Sequence, residues 1–387
     1  MSFDFDNVYD RRNMLSLKYD IVPKDVLPLW VADMDFKTAP AITKALENFI
    51  KQGIYGYAKT PNSYYEAIKN WHLKREGLLF EKEWIIPIPG IVPAISATLG
   101  ALTLPGDQVI IQSPVYNCFF SSIRNQGLEA VDNQLILDDK NCYQMDLEDL
   151  KEKLQHPRAR ILLLCNPQNP GSRLWSFSEL EKLVAICKEK NIIIISDEIH
   201  CDLRANGSEF TSIAKFASEL KDNLVIFRSA SKSFNLAGLQ NAYIICKNAC
   251  FRERIDRQIN INEVCDLNPL GIIATITALN EGQQWLEELN AYIESNYLYL
   301  KNFLEQNCPQ IKLTPLSATY LAWLDIRELQ LSSKDFCYKL LKNGKVLLSN
   351  GEEYGAGGHG FVRLNLACPR TTLKQALERI LKTITDL

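Results

Sequence analysis

The chain has 387 residues, enough for two cores rather than one, with 47% hydrophobic and 23% charged residues. That is an ordinary globular composition, and a net charge of −3 gives no reason to expect nucleic acid or an anionic membrane as a partner. The 11 cysteines include no C-x-x-C pair and often sit in apolar runs (Cys165, Cys187, Cys246), which fits a reducing, cytoplasmic setting better than a disulfide framework.

The amino end, Met1-Ser2-Phe3-Asp4-Phe5-Asp6, is acidic and shows no signal-peptide pattern. No apolar run approaches the ~20 residues that span a bilayer. Residues 1–40 read as an irregular arm carrying Pro23, Pro28 and Pro40, with a strand-like run Leu29-Trp30-Val31-Ala32 inside it. Helical periodicity over 41–52 stops at Gly53, and the tight loop Gly53-Ile54-Tyr55-Gly56-Tyr57 follows. Residues 63–77 predict an amphipathic helix. Pro87-Ile88-Pro89-Gly90-Ile91-Val92-Pro93 then leads into a helix expected over 94–104. A glycine at a helix start leaves free N–H groups that can cradle a phosphate, and it serves equally well as a plain cap. A strand over 108–112 precedes Ser113-Pro114-Val115-Tyr116, whose aromatic ring can lie on a flat ligand or pack at a rim. A strand over 128–135, a hairpin near Asp138-Asp139 and a helix over 147–154 complete this stretch.

Three apolar runs then end in polar residues. Ile161-Leu162-Leu163-Leu164 leads to Cys165-Asn166-Pro167-Gln168-Asn169-Pro170, and Ile192-Ile193-Ile194-Ile195 to Ser196-Asp197-Glu198-Ile199-His200. Leu224-Val225-Ile226-Phe227 leads to Ser229-Ala230-Ser231-Lys232. All three read as buried strands, and the carboxyl ends of strands are where open α/β sheets bind ligands. Lys232, among small hydroxyl residues, can form a Schiff base with a carbonyl; it can also be a loop lysine that faces water. Asp197 can face a cation or cap the following turn.

Residues 268–300 predict mostly helix. A strand over 320–324, a helix over 333–342 and a strand over 346–348 belong to a smaller unit. The glycine-rich run 351–360 reads as a mobile loop near the site. Alternation over 361–366 places Arg363 and Asn365 on one face, where a guanidinium can read a carboxylate bidentately or form a surface ion pair. The four histidines (His72, His156, His200, His359) lack paired-ligand spacing, so no metal is expected.

Asn169, Asp197 and Lys232, in this order, resemble the fold type I pyridoxal-phosphate (PLP) enzymes, the aspartate aminotransferase superfamily. Pro28-Leu29-Trp30-Val31-Ala32-Asp33-Met34-Asp35-Phe36, Asp197-Glu198-Ile199-His200-Cys201-Asp202 and Phe361-Val362-Arg363-Leu364-Asn365-Leu366-Ala367-Cys368-Pro369-Arg370 narrow the resemblance to the MalY/PatB type of cystathionine β-lyase. The match runs from about Trp30 to Arg370.

The resemblance implies an α/β fold: a large domain with a mainly parallel seven-stranded sheet flanked by helices, plus a smaller α+β domain. It divides the chain into an arm (1–40) joining the small domain, a large PLP-binding domain (41–275) and a small domain (276–387). It implies PLP on Lys232, with Asp197 facing the pyridine nitrogen, Tyr116 stacked on the ring and Asn169 donating to the phenolic oxygen. The backbone of Gly90, Ile91 and Val92, with Ser229 and Ser231, would surround the phosphate, and His200 would be a supporting contact. Arg363 would hold the carboxylate of a small amino-acid substrate, helped by backbone N–H groups near Ala32. Tyr57 (or, less directly, Tyr55) would reach into the partner subunit's site, making the functional unit a homodimer.

The implied activity is α,β-elimination from L-cystathionine, L-cysteine or related S-substituted cysteines to a thiol, pyruvate and ammonia. Transamination of an L-amino acid uses the same residues and is the alternative. A non-catalytic regulatory module of the same fold is a more distant one, since the pattern begins by Trp30 and leaves no room for a DNA-binding domain before it. Two departures stand out. Gln240 takes the place, eight residues after Lys232, where many aminotransferases of the superfamily carry an arginine. The glycine after Asn169-Pro170 comes one place early, as Gly171-Ser172, which changes the φ/ψ demands on that turn.

Overall fold

In the computed structural model, which describes residues 3–386, the three apolar runs lie side by side as parallel strands. Ile161 pairs with Ile193 and Ile194 with Leu224. The seven-stranded sheet has the order Ile85–Ile88, Ala242–Ile245, Leu224–Arg228, Ile193–Asp197, Ala159–Cys165, Gln108–Ile111, Glu129–Asp132. Ala242–Ile245 runs antiparallel to both of its neighbours and every other pairing is parallel.

Because successive side chains on a strand point to opposite faces, one apolar run feeds two cores. Leu162, Leu164, Ile194 and Ile226 enter one; Ile161, Leu163, Ile195, Val225 and Phe227 enter the other. Ile91–Leu102 and Ala249–Ile261 pack together over the second face. Pro40–Ile50 and Asn62–Glu76 pack on Pro269–Glu281 over the first. Each fully buried Leu or Ile contributes roughly 1.5–3 kcal/mol, so such runs specify the sheet strongly.

The 25-residue helix Gln283–Asn307 leads on to an antiparallel four-stranded sheet, Lys312–Leu313, Leu321–Asp325, Phe361–Asn365, Ser349–Asn350. The amino-terminal arm joins the chain here. Its strand is Leu27–Pro28, parallel to Val346–Leu347, two residues earlier than the apolar run Leu29-Trp30-Val31-Ala32 suggests. Leu29 still pairs through its backbone with Leu347 and Asn365, and from Trp30 on the run forms an irregular strap whose carbonyls are taken by side chains.

Other expectations need adjusting. The strand expected over 128–135 contracts to Glu129–Asp132. The helix expected over 333–342 is Ser333–Lys339, followed by a π turn, Leu340–Gly344. The glycine-rich run forms two 3₁₀ turns, Gly351–Tyr354 and Ala356–Gly358, rather than an open loop. A Cβ on Gly351 would lie 2.2 Å from the Phe361 carbonyl oxygen, and one on Gly358 would lie 1.9 Å from that of Gly351. These glycines serve close packing, which in composition looks the same as mobility.

Candidate active site

A cavity of about 340 Å³ opens at the carboxyl ends of the parallel strands. Cys165 and Asp197 line it from two strand ends, and Ser231 and Lys232 line it just past a third. Beneath them Arg228 donates to Glu198 (2.5 Å) and to Glu76 (2.5 and 2.8 Å). All three side chains are buried, so this charge-assisted bridge locks the ends of two adjacent strands together.

Asp197 is buried and accepts the Ile199 N–H at 3.1 Å, so the capping role open to it in the sequence is realised at its Oδ1. Among the described residues it forms no ion pair. Burial therefore pushes its pKa up to about 7, although Lys232 nearby opposes the rise. The Lys232 Nζ donates to the Ala32 carbonyl at 2.6 Å. Burial, with Arg363 adding repulsion, brings its pKa down to about 8. His200 lines the same cavity and is kept neutral by burial and by the charges of Lys232 and Arg363; its Nδ1 has no partner.

Helix Ile91–Leu102 starts at the cavity wall, three residues before the start expected from the sequence, with Gly90 as its N-cap. Its first N–H groups therefore meet the cavity directly. Tyr116 lines the opposite part of the wall, and burial raises its hydroxyl pKa far above the ordinary value. Asn169 lines the cavity, and its Oδ1 accepts from Arg363 at 3.2 Å. That bond orients the Asn169 amide so that its nitrogen is free to donate elsewhere. Arg363 also donates to the Trp30 carbonyl (2.9 Å) and to Ser349 Oγ (3.4 Å), packs over the Tyr354 ring, and keeps its buried Nε unpaired.

Three expected contacts take another form. Ala32 faces the site with its carbonyl, bound by Lys232, and not with an N–H group. Ser229 gives its hydroxyl to the Asn241 carbonyl (2.6 Å) and supports Ser231 from outside the lining. Tyr57, expected in a partner subunit's site and not in its own, lies fully exposed in the loop after Gly53. Asn365 shares a strand with Arg363, and neither lines the cavity: Arg363 reaches it through Asn169, and the Asn365 amide donates to the Val31 and Asp33 carbonyls, both at 2.6 Å.

Two further side chains hold the strap beside Lys232. Tyr320 donates to the Ala32 carbonyl at 2.9 Å, and Asn235 accepts the Met34 N–H and donates to the Met34 and Phe36 carbonyls. Asn235 lies three residues after Lys232, a proximity that was legible. Tyr320 immediately precedes the strand Leu321–Asp325, far along the chain, and was not.

The profile of the family described as "Aminotransferase class I and II" matches residues 24–380. The chain belongs to that family. It is 38% identical to cystathionine β-lyase PatB of Bacillus subtilis, over 97% of this chain and 98% of the relative. It superposes on the crystal structure of cystalysin from Treponema denticola, which contains PLP, with a TM-score of 0.97 at 33% identity, covering 100% of both chains. The PLP-bound C–S lyase of Staphylococcus hominis gives a TM-score of 0.92 at 31% identity, with 99% of each chain covered. The fold type I architecture of a PLP-dependent enzyme is thus the family's own. No helix among the described residues is long and apolar enough to cross a membrane.

Proposed function

We propose that the protein is a PLP-dependent carbon–sulfur β-lyase, which releases a thiol, pyruvate and ammonia from L-cystathionine or another S-substituted cysteine. One observation carries the reading: a cavity at the strand ends holds an unpaired carboxylate, Asp197, and a lysine of lowered pKa, Lys232, with Arg363 joined to it through Asn169. The kinship with PatB and with the PLP-containing structures supports it.

The residues fit the cofactor. Asp197 lacks a cationic partner, as a group that faces a protonated pyridine nitrogen would. The N-terminus of helix Ile91–Leu102 offers N–H donors for a phosphate. Tyr116 offers a ring face, and Asn169 an amide nitrogen for the phenolic oxygen. When bound, PLP supplies a carbonyl that condenses with amines and a ring that accepts an electron pair from the substrate's Cα.

The chain's own groups then have distinct tasks. Arg363 holds the substrate's α-carboxylate with its guanidinium fork. Lys232 Nζ, a base poised near neutral pH, takes the Cα proton. Asp197 keeps positive charge on the pyridine nitrogen, and its own pKa falls as it gains that partner. The Cβ–S bond breaks with its electron pair leaving on sulfur, which takes up a proton to become the thiol, and one water hydrolyses the remaining three-carbon enamine to pyruvate and ammonia. Deprotonation at Cα is common to transamination; elimination follows when the β-substituent is a good leaving group.

Mixing the purified protein with L-cystathionine, without any keto acid, tests this. Pyruvate and a free thiol should accumulate in equal amounts, and Lys232→Ala should abolish both. A keto-acid-dependent amine transfer without pyruvate would instead establish an aminotransferase.

The same reading makes the protein a homodimer. Residues 50–59 are exposed throughout; Tyr55 leans on the Phe49 ring, while Ile54 and Tyr57 are left largely open to solvent; we place Tyr57 in the partner's site, near phosphate and substrate. It also assigns 1–40 to an arm on the small domain, 41–275 to the cofactor domain and 276–387 to the small domain. All 11 cysteines are free, which supports a cytoplasmic setting.

A further inference from the structure

The wall that would receive the cofactor's phosphate is short of charge. Lys232, committed to the carbonyl, is the one cation of the described residues lining the cavity besides the neutral His200. Gln240, in the left-handed region at φ +51°, stands where an arginine would serve. The helix terminus is weakened too. Pro93 occupies its third position and has no N–H, so the N-cap and first turn contribute only those of Gly90, Ile91 and Val92.

Asn241 sits on the same wall and is 94% buried by its 6% relative exposure. Its Oδ1 accepts from the Tyr64 hydroxyl (2.8 Å) and from Thr275 Oγ1 (2.9 Å). Two hydroxyl donors on the oxygen fix the amide's orientation, which leaves Nδ2 without a partner in the structure. A buried amide nitrogen with no acceptor is costly, and this one belongs to a residue that borders the cavity. Its two N–H groups add to the donors of a helix start that lacks one at Pro93, and, like Gln240, they bring no charge.

We propose that Asn241 is a phosphate-binding residue, its Nδ2 donating to an oxygen of the cofactor's phosphate beside Ser231 and the Gly90–Val92 backbone. The inference rests on the PLP site proposed above. The phosphate is then gripped, within this chain, by neutral donors and a helix terminus alone.

The test compares the ligand-free protein's affinity for PLP and for pyridoxal, which lacks the phosphate, by equilibrium dialysis. Asn241→Ala should weaken PLP about tenfold or more, the scale of a hydrogen bond to a charged group, and leave pyridoxal unchanged. Asn241→Asp keeps the acceptors for Tyr64 and Thr275, so it preserves the fold. It turns a carboxylate oxygen toward the phosphate and should weaken PLP further than alanine does. An unaltered preference for PLP over pyridoxal in Asn241→Asp would overturn the assignment. Equal losses for both ligands would do the same, by marking Asn241 as structural. If the wild-type protein binds neither ligand, the PLP site itself is wrong, an outcome distinct from both.

Discussion

Lys232 and Tyr320 donate to a single acceptor, the carbonyl oxygen of Ala32, at 2.6 and 2.9 Å. Lys232 follows the strand Leu224–Arg228 of the seven-stranded sheet and Tyr320 precedes Leu321–Asp325 of the four-stranded one; the carbonyl belongs to neither. Sharing weakens the carbonyl as an acceptor for the ammonium and so helps burial favour the neutral amine. Removing the hydroxyl with Tyr320→Phe should return acceptor strength to Lys232 and raise its titration midpoint from about 8 by about half a unit to one unit. Mass-spectrometric mapping of Lys232 acylation against pH, in ligand-free protein, reads this directly. An unmoved midpoint would mean that Tyr320 only packs.

Arg363→Lys keeps the charge but loses the fork. The ammonium cannot hold Asn169, the Trp30 carbonyl and a substrate carboxylate in one plane. We expect kcat/KM for L-cystathionine to fall about 10- to 100-fold, mostly through KM. A substrate analogue without the α-carboxylate should be turned over equally poorly by both proteins.

Asp197 gives a stability signature. Its folded-state pKa, about 7 against an ordinary 3.8, means that the folded chain binds more protons than the unfolded chain between those values. Its contribution therefore falls as pH rises from about 4 to about 7. In ligand-free protein, Asp197→Asn should gain in melting temperature relative to wild type across that window and level off above it. A difference that stays flat with pH would contradict the assigned shift.

The displaced glycine has its own test. A Cβ at Gly171 would lie 2.7 Å from Gln168 Oε1 and 2.8 Å from the Tyr143 ring, while Ser172 carries the left-handed conformation at φ +57°. Gly171→Ala should destabilise by about 2 kcal/mol through overpacking, seen as a lower urea midpoint. Ser172 holds its strained backbone with hydroxyl contacts to Thr319 and the Leu321 carbonyl, so the turn joins the two sheets.

Much of this was legible in the chain because buried parallel strands are written as uninterrupted apolar runs, and the residues just past them face the site. Lys232, Asp197 and Asn169 were found that way. Contacts made by backbone carbonyls escaped, since every residue has one: nothing in Ala32 announces that it will accept from Lys232. Asn241 escaped because an asparagine before a strand is ordinary until its oxygen is seen to be occupied. Leu29-Trp30-Val31-Ala32 looked like a strand because an apolar run does not reveal whether its hydrogen bonds go to a neighbour's backbone or to side chains. Tyr57 remained visible only as an uncovered aromatic, since the chain alone does not contain what would cover it.

The strap has a consequence for how the protein comes into being. The carbonyls of Trp30, Val31, Ala32, Asp33 and Met34 are held by Arg363, Asn365, Lys232 and Asn235, among others. The arm is synthesised first, yet its partners lie about 200 to 330 residues downstream, from Asn235 to Arg363 and Asn365. Closing such long loops is slow. Nearly the whole chain must therefore leave the ribosome before Arg363 and Asn365, on the last strand of the smaller sheet, can hold the strap that carries the acceptor of Lys232.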